Sequence, residues 1–444
     1  MQMEKLVDIM QNAGIAGAGG AGFPAYAKLS RQADTVLLNC SECEPLIRVH
    51  RQLLEAYAYE ILTALDTVCE AIGASQFIVA VKGSYTGAVQ AVSHKLANFK
   101  RAKLFKLPEV YPVGDEIMTI YEATGRLVQP GQLPVSAGVI VYNVETMLNL
   151  YHALLGTPVT HKYVTVAGAV AHPLTVKAAI GTPFSALVAS AGGCDMDAAL
   201  ISGGPMTGAA AQMQDVVTKT TNAVLVLPKY HPVVMNKHLN ANTGVKRAMS
   251  ACCQCQMCTD LCPRHLMGYP IEPHLVMRTL ALGDTLGAAA LLNTAYCSQC
   301  GLCELYACMQ GLSPRTLIGK VKGSLKALNA KPEPPKEADI HPARDLRKVP
   351  EHRLIARLGL AGYDVDAPLS ENPLCEKTLT VKLSQHIGAP AVPVVKMGDQ
   401  VFAGQTIAAQ KEGALSLPVH APVPGRVTQV ANDWITIERQ ADTR

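Results

Sequence analysis

Two short runs of cysteines are the part of this sequence whose residue types and spacing most directly indicate a chemistry. In each run three cysteines recur at two-residue spacing and a fourth follows, and the eight residues are Cys252, Cys255, Cys258 and Cys262, then Cys297, Cys300, Cys303 and Cys308. Three thiolates at this spacing can surround one face of a 4Fe–4S cluster, and a more distant cysteine completes the coordination. The runs therefore predict two 4Fe–4S clusters.

The fourth ligand of each cluster is predicted to come from the opposite run. In the bacterial two-cluster pattern the last cysteine of a run ligates the other cluster, which assigns Cys308 to the first run and Cys262 to the second. Pro263 follows Cys262 as in that pattern, whereas Met309 follows Cys308 and departs from it. Two structural zinc sites are the alternative, although zinc normally uses two separated C-x2-C pairs and not triplets.

A glycine-rich stretch near the N-terminus, residues 14–24 (GIAGAGGAGFP), is the second chemical signal. Glycines allow a backbone to approach a ligand closely, and their N–H groups can then face a phosphate. The spacing of Gly17, Gly19 and Gly22 also matches a dinucleotide fingerprint, but no strand clearly precedes it, as that fingerprint requires. A flexible turn of small residues is the alternative interpretation. Because clusters carry single electrons, a flavin here would connect them to a two-electron donor.

Composition limits the class of protein. The chain has 444 residues, of which 49% are hydrophobic and 17% charged, so it can form several domains with substantial cores. A net charge of +4 without a basic block, together with one Trp and six Phe, argues against nucleic-acid binding. Apolar stretches are interrupted before the roughly 18 residues that a membrane helix needs. We therefore expect an intracellular protein without a membrane span or signal peptide.

Hydrophobic periodicity divides the chain into regions. Residues 1–155 alternate strand patterns with helix patterns, which predicts an α/β domain with a mostly parallel sheet. The strand patterns cover 34–39, 76–81 and 139–143, and the helix patterns cover 3–11, 51–72 and 84–99, the last capped by Ser84. Residues 160–230 contain short strands around a helix at 184–191 and predict a small α+β domain.

The second half of the chain is organised around the cysteines. Residues 245–325 are largely helical, with predicted helices at 274–282 and 286–295. Residues 331–375 begin with a stretch rich in proline and charge and are predicted to be a linker. Residues 376–440 contain short strands with Pro and Gly turns and predict a compact β module.

The glycine-rich stretch also carries a family resemblance. Residues 13–45 (AGIAGAGGAGFPAYAKL…VLLNCSECEP) resemble the flavin-binding part of the NADH-oxidising subunit of respiratory complex I, and more strongly the C subunit of the Rnf complex. Residues 111–116 (YPVGDE) and 143–146 (NVET) match in the same order. The resemblance implies non-covalent FMN with NADH stacked over it. It assigns to FMN the residues Gly17, Gly19, Gly20, Lys28, Asn39, Asn143 and Val144, and to the nicotinamide pocket Glu42, Glu44, Tyr111, Gly114, Asp115 and Glu116.

The resemblance continues along the chain. Residues 163–227 resemble a β-grasp ligand-binding domain, and residues 381–427 resemble a lipoyl/biotinyl-like β-sandwich module. Carrier modules present a lysine on a hairpin, but residues 413–418 (GALSLP) contain none, so no prosthetic arm is expected. The C-terminal place of this module is similar to the cobalamin reductases of propanediol-utilisation microcompartments. The expected fold is a multidomain α/β protein with a flavin domain, a β-grasp domain, a helical dicluster ferredoxin domain and this module.

The resemblance implies a function. NADH would reduce FMN, and single electrons would pass through two 4Fe–4S clusters to a corrinoid, from cob(III)alamin through cob(II)alamin to cob(I)alamin. A cobalamin adenosyltransferase and microcompartment shell or lumen proteins are the implied partners, inside a cytoplasmic bacterial microcompartment. Two alternatives remain open: an NADH-linked conduit to ferredoxin or another partner, and a non-enzymatic corrinoid-binding or assembly scaffold. No residue of the sequence identifies a corrinoid site.

Overall fold

The first domain is built on a four-stranded parallel sheet with helices on both sides. A computed structural model describes residues 1–283, 287–333, 335, 337–370 and 372–440 of the chain. The strands of this region are β1 (Thr35–Cys40), β2 (Gln76–Lys82), β3 (Ala102–Leu107), β4 (Val110–Tyr111) and β5 (Val139–Asn143). The helices are α1 (Met3–Asn12), α2 (Val49–Ala56), α3 (Ala58–Ile72), α4 (Thr86–Lys95), α5 (Glu116–Thr124) and α6 (Val144–Leu154). The sheet order is β3-β2-β1-β5, which confirms the predicted parallel sheet.

Two local predictions in this domain are wrong. The helix predicted over 51–72 is two helices, because Tyr57 leaves the helical region of backbone space with φ −125° and ψ 36°. Ser84 is not a helix cap: α4 begins at Thr86, and the Ser84 N–H donates instead to the Glu109 carboxylate at 3.0 Å. The helix also ends earlier than Phe99, since a 3-10 turn follows Lys95.

The second domain is a mixed sheet covered by a short helix. Its strands are β6 (His161–Gly168), β7 (Leu174–Ala179), β8 (Ala198–Ser202), β9 (Ala209–Ala211) and β10 (Ala223–Pro228), and its helix is α7 (Phe184–Ser190). Only the central pair, β6 with β10, is parallel within the order β7-β6-β10-β8-β9. Buried valines of β6 and β10 pack under α7, which explains why so small a domain has its own core.

Short helices arrange the two cysteine runs. They are α8 (Pro232–Lys237), α9 (Ala241–Ala251), α10 (Met257–Asp260), α11 (Pro263–Leu266), α12 (Pro273–Leu282), α13 (Ala288–Leu292) and α14 (Pro314–Ala327). The predicted helix at 274–282 is α12. The helix predicted at 286–295 begins outside the described residues and continues as α13, followed by the 3-10 turn Asn293–Tyr296.

The segment predicted to be a linker packs against the first domain. Its strand β11 (Val349–Pro350) pairs antiparallel with β4, and its helix α15 (Glu351–Arg357) follows directly. Glu351 forms an ion pair with the fully buried Lys82, and Arg344 forms one with Glu122. Two of the charges in the predicted linker are therefore partners for charges of the first domain.

The C-terminal module has two small sheets that pack face to face. Its strands are β12 (Thr378–Lys382), β13 (Val392–Pro393), β14 (Gln400–Val401), β15 (Thr406–Ala409), β16 (Val419–His420), β17 (Gly425–Val430) and β18 (Trp434–Arg439). The module contacts the glycine-rich loop, since the Ile387 N–H donates to the Gly22 carbonyl at 3.1 Å. Within the described ranges, no helix has the length and apolar composition that a membrane crossing requires.

Candidate functional site

A cleft of about 540 Å³ runs along the edge strand β5 and reaches the carboxyl ends of β1 and β5. The chain leaves β1 towards β2 on one side, while β5 lies on the other side, so this is the switch point of the sheet. Ligands of open α/β sheets bind at such a point, beyond the carboxyl ends of the strands. Asn39 is the second-last residue of β1, Asn143 is the last residue of β5, and both residues line the cleft.

The glycine-rich loop forms one wall of this cleft and is fitted closely to α6. A Cβ atom on Gly19 would lie 2.1 Å from Asn143 Nδ2, so any larger residue there would displace the Asn143 amide. The Ala18 N–H donates to Thr146 Oγ1 at 3.0 Å, which ties the loop to the first turn of α6. Gly20 differs, because a Cβ there meets no atom within 4 Å and the residue lines the cleft. Loop N–H groups and a helix N-terminus thus meet at one place, the arrangement that binds phosphate.

Polar side chains cross the floor of the cleft. Lys28 Nζ donates to Glu116 Oε1 at 2.8 Å and to the Val141 carbonyl at 3.0 Å. Asn39 Nδ2 donates to the Gly114 carbonyl at 2.9 Å, and its Oδ1 accepts from the Ser41 hydroxyl at 2.7 Å. The cleft therefore offers a cation, amide groups and backbone N–H groups to an anionic, heteroaromatic ligand.

Only some of the residues predicted to bind FMN and NADH line the cleft. Among the residues assigned to FMN, the cleft is lined by Gly17, Gly19, Gly20, Lys28, Asn39 and Asn143, whereas Val144 is fully buried as the first residue of α6. Among the residues assigned to the nicotinamide pocket, Gly114 and Glu116 line the cleft. Glu42, Glu44, Tyr111 and Asp115 do not, and each has a different role.

Glu42 and Glu44 satisfy backbone groups outside the cleft. Glu42 is 5% exposed and accepts from the His50 N–H at 2.7 Å at the start of α2. Burial opposes its ionisation, but the charge of Arg51 and the backbone N–H groups of His50 and Arg51 help to hold its pKa below the usual value. Glu44 accepts from the Met206 and Thr207 N–H groups, both at 2.8 Å, and so joins the first domain to the second.

Tyr111 and Asp115 connect the cleft to the second cysteine run. The Tyr111 hydroxyl donates to the Cys300 carbonyl at 2.6 Å. Asp115 caps α5 through the Ile117 N–H and forms an ion pair with Arg264 at 2.7 Å. Both residues flank Gly114, which lines the cleft, so one loop borders the cleft and this run.

Cysteines from both runs meet at one small cavity. Its lining contains Cys262 together with the three cysteines of the second run, Cys297, Cys300 and Cys303. The remaining cysteines form the other group: burial first, then the nearby Cys308, Cys252 and Cys255 thiols, raise the pKa of Cys258 to about 12. Cys262 thus lies with the second run and Cys308 near the first, as the predicted exchange of the fourth ligand requires, and the ligation itself stays a prediction.

The loops around the cysteines fit iron–sulfur clusters. Gln254, Gln256 and Gln299 adopt positive φ angles of 54°, 64° and 60°, a backbone conformation found in loops that bind anionic groups. The Gln299 N–H lies 3.3 Å from Cys297 Sγ, and N–H···S bonds of this kind stabilise ligating thiolates. Burial raises the pKa of Cys300 to about 12, so the binding of a cluster there releases a proton.

His50, Thr146 and Arg264 are residues of the site that the sequence reasoning missed. His50 Nε2 lies 2.9 Å from Asn143 Nδ2 beneath the glycine-rich loop, and burial lowers its pKa, which favours the neutral ring. Thr146 stood in a matched stretch, and Arg264 follows the Cys262-Pro263 pair, so both had a positional signal. His50 had none, because its partner is distant in sequence.

Models of protein families match four parts of the chain. Residues 10–152 match the Nuo51 FMN-binding domain, and residues 163–210 match the SLBB domain. Residues 251–313 match a 4Fe-4S dicluster domain, and residues 365–443 match the RnfC barrel sandwich hybrid domain. These matches confirm the predicted cofactor classes, FMN and two 4Fe–4S clusters, and the multidomain fold class.

Curated relatives cover almost the whole chain. Cobalamin reductase PduS of Citrobacter freundii is 42% identical over 96% of this chain and 95% of the relative. Cobalamin reductase PduS of Salmonella typhimurium (strain LT2) is 40% identical, over 99% and 97%. The chain belongs to the cobalamin reductase PduS family. The predicted family is thereby confirmed.

More distant similarities extend to a subunit of an oxidoreductase complex and, in fold alone, to a hydrogenase. The C subunit of the Na(+)-translocating ferredoxin:NAD(+) oxidoreductase complex of Acetobacterium woodii is 32% identical over 60% of this chain and 59% of the relative. A crystal structure of an NAD+-reducing [NiFe]-hydrogenase in the H2-reduced state shares the fold, with a TM-score of 0.50 and 20% identity. That match covers 72% of this PduS-family chain and 63% of the hydrogenase chain. The assignment of single residues to cofactors stays a prediction.

Proposed function

We propose that this protein is an NADH-dependent cobalamin reductase. The observation that carries the proposal is the identity of 42% and 40%, over almost the full length, to two proteins named cobalamin reductase PduS. Bound FMN would exchange the electron pair of NADH for single electrons, and the clusters would carry single electrons towards a corrinoid. The residues of this chain bind these groups, fix their distances and limit the access of water.

The cleft residues would hold FMN. Lys28 supplies the positive charge and Asn39 the amide groups for the polar edge of the ring or the ribityl chain. The phosphate is assigned to the loop around Gly19 and Gly20 where it meets the first turn of α6, because a glycine-rich loop and a helix N-terminus both suit an anion. The nicotinamide of NADH is assigned to the side of the cleft lined by Gly114 and Glu116.

The two cysteine groups would act in series. We define the proximal group as Cys262, Cys297, Cys300 and Cys303, and the distal group as Cys252, Cys255, Cys258 and Cys308. The proximal group adjoins the cleft loop through the Tyr111 hydroxyl on the Cys300 carbonyl and the Asp115–Arg264 ion pair. The distal group reaches the surface, where Cys255 is exposed. Electrons would therefore enter at the proximal group and leave at the distal group.

Anaerobic spectroscopy tests the activity. Reconstituted protein should contain FMN and the iron of two cubane clusters, about four atoms per cluster, and NADH should bleach the flavin and then the clusters. Cob(III)alamin and cob(II)alamin, each mixed with the reduced protein, should then be reduced. Failure of NADH to bleach the flavin would contradict the proposal and leave the alternative of a corrinoid-binding scaffold, which corrinoid binding without electron transfer would support.

A second candidate acceptor comes from the match to the C subunit of the ferredoxin:NAD(+) oxidoreductase complex. In that function the protein would pass electrons between NADH and a ferredoxin or a partner subunit. Parallel stopped-flow reactions with cob(III)alamin and with ferredoxin distinguish the two functions. Faster reduction of the corrinoid supports the cobalamin reductase, and exclusive exchange with ferredoxin supports the conduit.

Single cysteine variants test the order of the two groups. Cys300→Ser should lose proximal iron but keep FMN, and the distal cluster should then be reducible by dithionite and not by NADH. Cys255→Ser should lose distal iron, keep NADH reduction of the proximal cluster and lose corrinoid reduction. Electron paramagnetic resonance with iron analysis measures each cluster. The opposite pattern in the two variants would reverse the order.

We also propose a cellular context from the PduS name of the relatives. The protein would work in propanediol degradation within a bacterial microcompartment, beside a cobalamin adenosyltransferase that consumes the reduced corrinoid. Purified microcompartments should contain it in a protease-protected form. Recovery of the protein only in the soluble fraction outside intact compartments would contradict this context.

A further inference from the structure

The surface above the distal cysteine group combines exposed thioethers with exposed cysteines. Met249 at the end of α9 is 65% exposed, and Met309, next to Cys308, is 71% exposed. Met257 is 38% exposed and lies in the sequence between Cys255, which is exposed, and Cys258, which is partly buried. Large apolar side chains at an electron outlet are unfavourable in water and suit contact with another molecule, and methionine adapts to varied partners.

Three elements converge on this surface. Arg247 of α9 donates to the Gly311 carbonyl at 3.1 Å, and the Leu312 N–H lies 3.4 Å from Cys308 Sγ. Arg357 at the end of α15 contacts Met309 Sδ at 3.6 Å. We call residues 246–257, residues 309–311 and Arg357 the exit face.

The exit face has a basic rim. Lys246, Arg247 and Arg357 are exposed on it. No Asp or Glu occurs in residues 246–257 or 309–311, so the two chain segments of the exit face contain two cations and no acid. The net charge of the entire chain is only +4, so this local excess is not a general property of the surface.

We propose that the exit face is a docking surface for an electron-accepting protein with an acidic surface. The proposal rests on the proposed function, because it needs reduced distal thiolate-bound iron. At each encounter one electron passes to the oxidised centre of the partner, and no bond forms or breaks. Oxidation of one NADH to NAD⁺ and a proton supplies two such electrons. A basic rim attracts the acidic partner and speeds its association, while the methionines provide an adaptable contact.

Two one-electron acceptors of opposite charge, rubredoxin as the acidic one and cytochrome c as the basic one, test the charge complementarity. NADH bleaching of the flavin and clusters is recorded first without acceptor, and its failure would contradict the proposed function alone. With bleaching intact, reduction of rubredoxin should slow as ionic strength rises, because salt screens the attraction. Reduction of cytochrome c should accelerate over the same range.

Charge reversal locates the docking surface. Lys246→Glu with Arg357→Glu should slow rubredoxin reduction about tenfold at low salt and accelerate cytochrome c reduction. The matched control changes two exposed lysines of the C-terminal module, Lys396→Glu with Lys411→Glu, by the same total charge. It should leave both rates within about twofold of the wild type if steering is local.

Cross-linking gives a readout that does not depend on electron transfer. Carbodiimide should couple rubredoxin carboxylates to Lys246 in the wild-type holoprotein, and mass spectrometry identifies the joined peptides. Equal effects of the two double variants, or cross-links confined to other surfaces, would overturn the proposal. Coupling of Lys246 to a second copy of this chain would also overturn it and assign the exit face to self-association. A loss of rate in the Lys246→Glu, Arg357→Glu variant that affects only the reduction of free cob(III)alamin would assign the exit face to the corrinoid itself.

Discussion

At the scale of single residues, Gly19 and Gly20 are adjacent but have different structural constraints. Gly19 is held against Asn143, where any side chain would collide with the amide. Gly20 has free space at its Cβ position and lines the cleft. The spacing of glycines in the sequence indicates a close approach to a ligand, but it does not tell which glycine faces the protein and which faces the cofactor.

Gly20→Val should therefore remove FMN without unfolding the protein. The added side chain lies in the cleft where the loop would approach the cofactor, and its Cβ meets no protein atom within 4 Å. We expect a loss of at least tenfold in FMN affinity, equivalent to about 1.4 kcal/mol, with normal cluster content and circular dichroism. Flavin fluorescence on titration of the apoprotein measures it.

Gly83→Val is the matched control, because Gly83 lies in the same domain, is equally open at Cβ and is absent from the cleft lining. It should bind FMN as the wild type does. Unchanged flavin affinity in Gly20→Val would remove Gly20 from the binding site. A loss of FMN affinity in both Gly20→Val and Gly83→Val would indicate a general effect on the domain.

The residues that the resemblance assigns to FMN and NADH lie partly in the cleft and partly outside it, and their roles stay predictions. Lys28, Asn39 and Glu116 do line the cleft. Glu42 and Glu44 lie in the same stretch, but their carboxylates accept from backbone N–H groups of α2 and of the second domain. A sequence shows that an acid is present, but the direction of its side chain depends on donors that come from distant parts of the chain.

At the scale of elements, local patterns were predicted well and long-range partners were not. The cysteine runs can be recognised in the sequence because three of the four predicted ligands of each cluster lie within a few residues of each other. The segment 331–375 was predicted as a linker from its prolines and charges. In the structure β11 pairs with β4, and Glu351 binds Lys82, whose side chain is 0% exposed. Nothing near the segment in sequence indicates that partner.

Glu351→Ala should destabilise the protein through this contact. The substitution leaves the Lys82 ammonium buried with the Glu42 carbonyl as its remaining hydrogen-bond acceptor among the described contacts. Removal of one partner of a buried ion pair costs about 3 kcal/mol. The midpoint of thermal unfolding of the holoprotein should fall, while the FMN content at room temperature stays normal because the folded state still predominates there.

The double variant Lys82→Met with Glu351→Met is the control for this pair. It replaces both charges by apolar groups, so no charge remains buried, and most of the lost stability should return. If the double variant is as unstable as Glu351→Ala, the segment is held by contacts other than the ion pair. If Glu351→Ala unfolds at the wild-type temperature, Lys82 has another effective partner.

At the scale of the whole molecule, three domains meet at Lys219. Its Nζ donates to the Gly14 carbonyl of the flavin domain at 2.7 Å and to the Pro418 carbonyl of the C-terminal module at 2.8 Å. Its backbone N–H donates to Gln385 Oε1 at 2.9 Å. The hairpin that lacks a carrier lysine thus contacts the beginning of the glycine-rich loop. The resemblance predicted the module, but its docking on the flavin loop could be seen only in three dimensions.

This junction predicts a dependence of stability on pH. Burial lowers the pKa of Lys219 to about 7, from the 10.5 that an exposed lysine has. Between these two values the unfolded chain binds one more proton at this residue than the folded chain does, so a rise in pH favours the folded state. The wild type should therefore gain up to about 1.4 kcal/mol per pH unit relative to Lys219→Met over this range.

Anaerobic thermal unfolding of the wild type and of Lys219→Met, each at about pH 7.5 and about pH 9.5, measures this gain. The difference between the unfolding midpoints of the two proteins should change between the two pH values. At the higher pH the unfolding midpoint of the wild type should rise relative to that of Lys219→Met, whichever protein has the higher midpoint at the lower pH. Lys411→Met changes an exposed lysine of the C-terminal module. Its unfolding midpoint should differ from that of the wild type by the same amount at both pH values. Parallel shifts of the wild type and Lys219→Met would mean that Lys219 stays protonated at the junction, because the Gly14 and Pro418 carbonyls hold its charge.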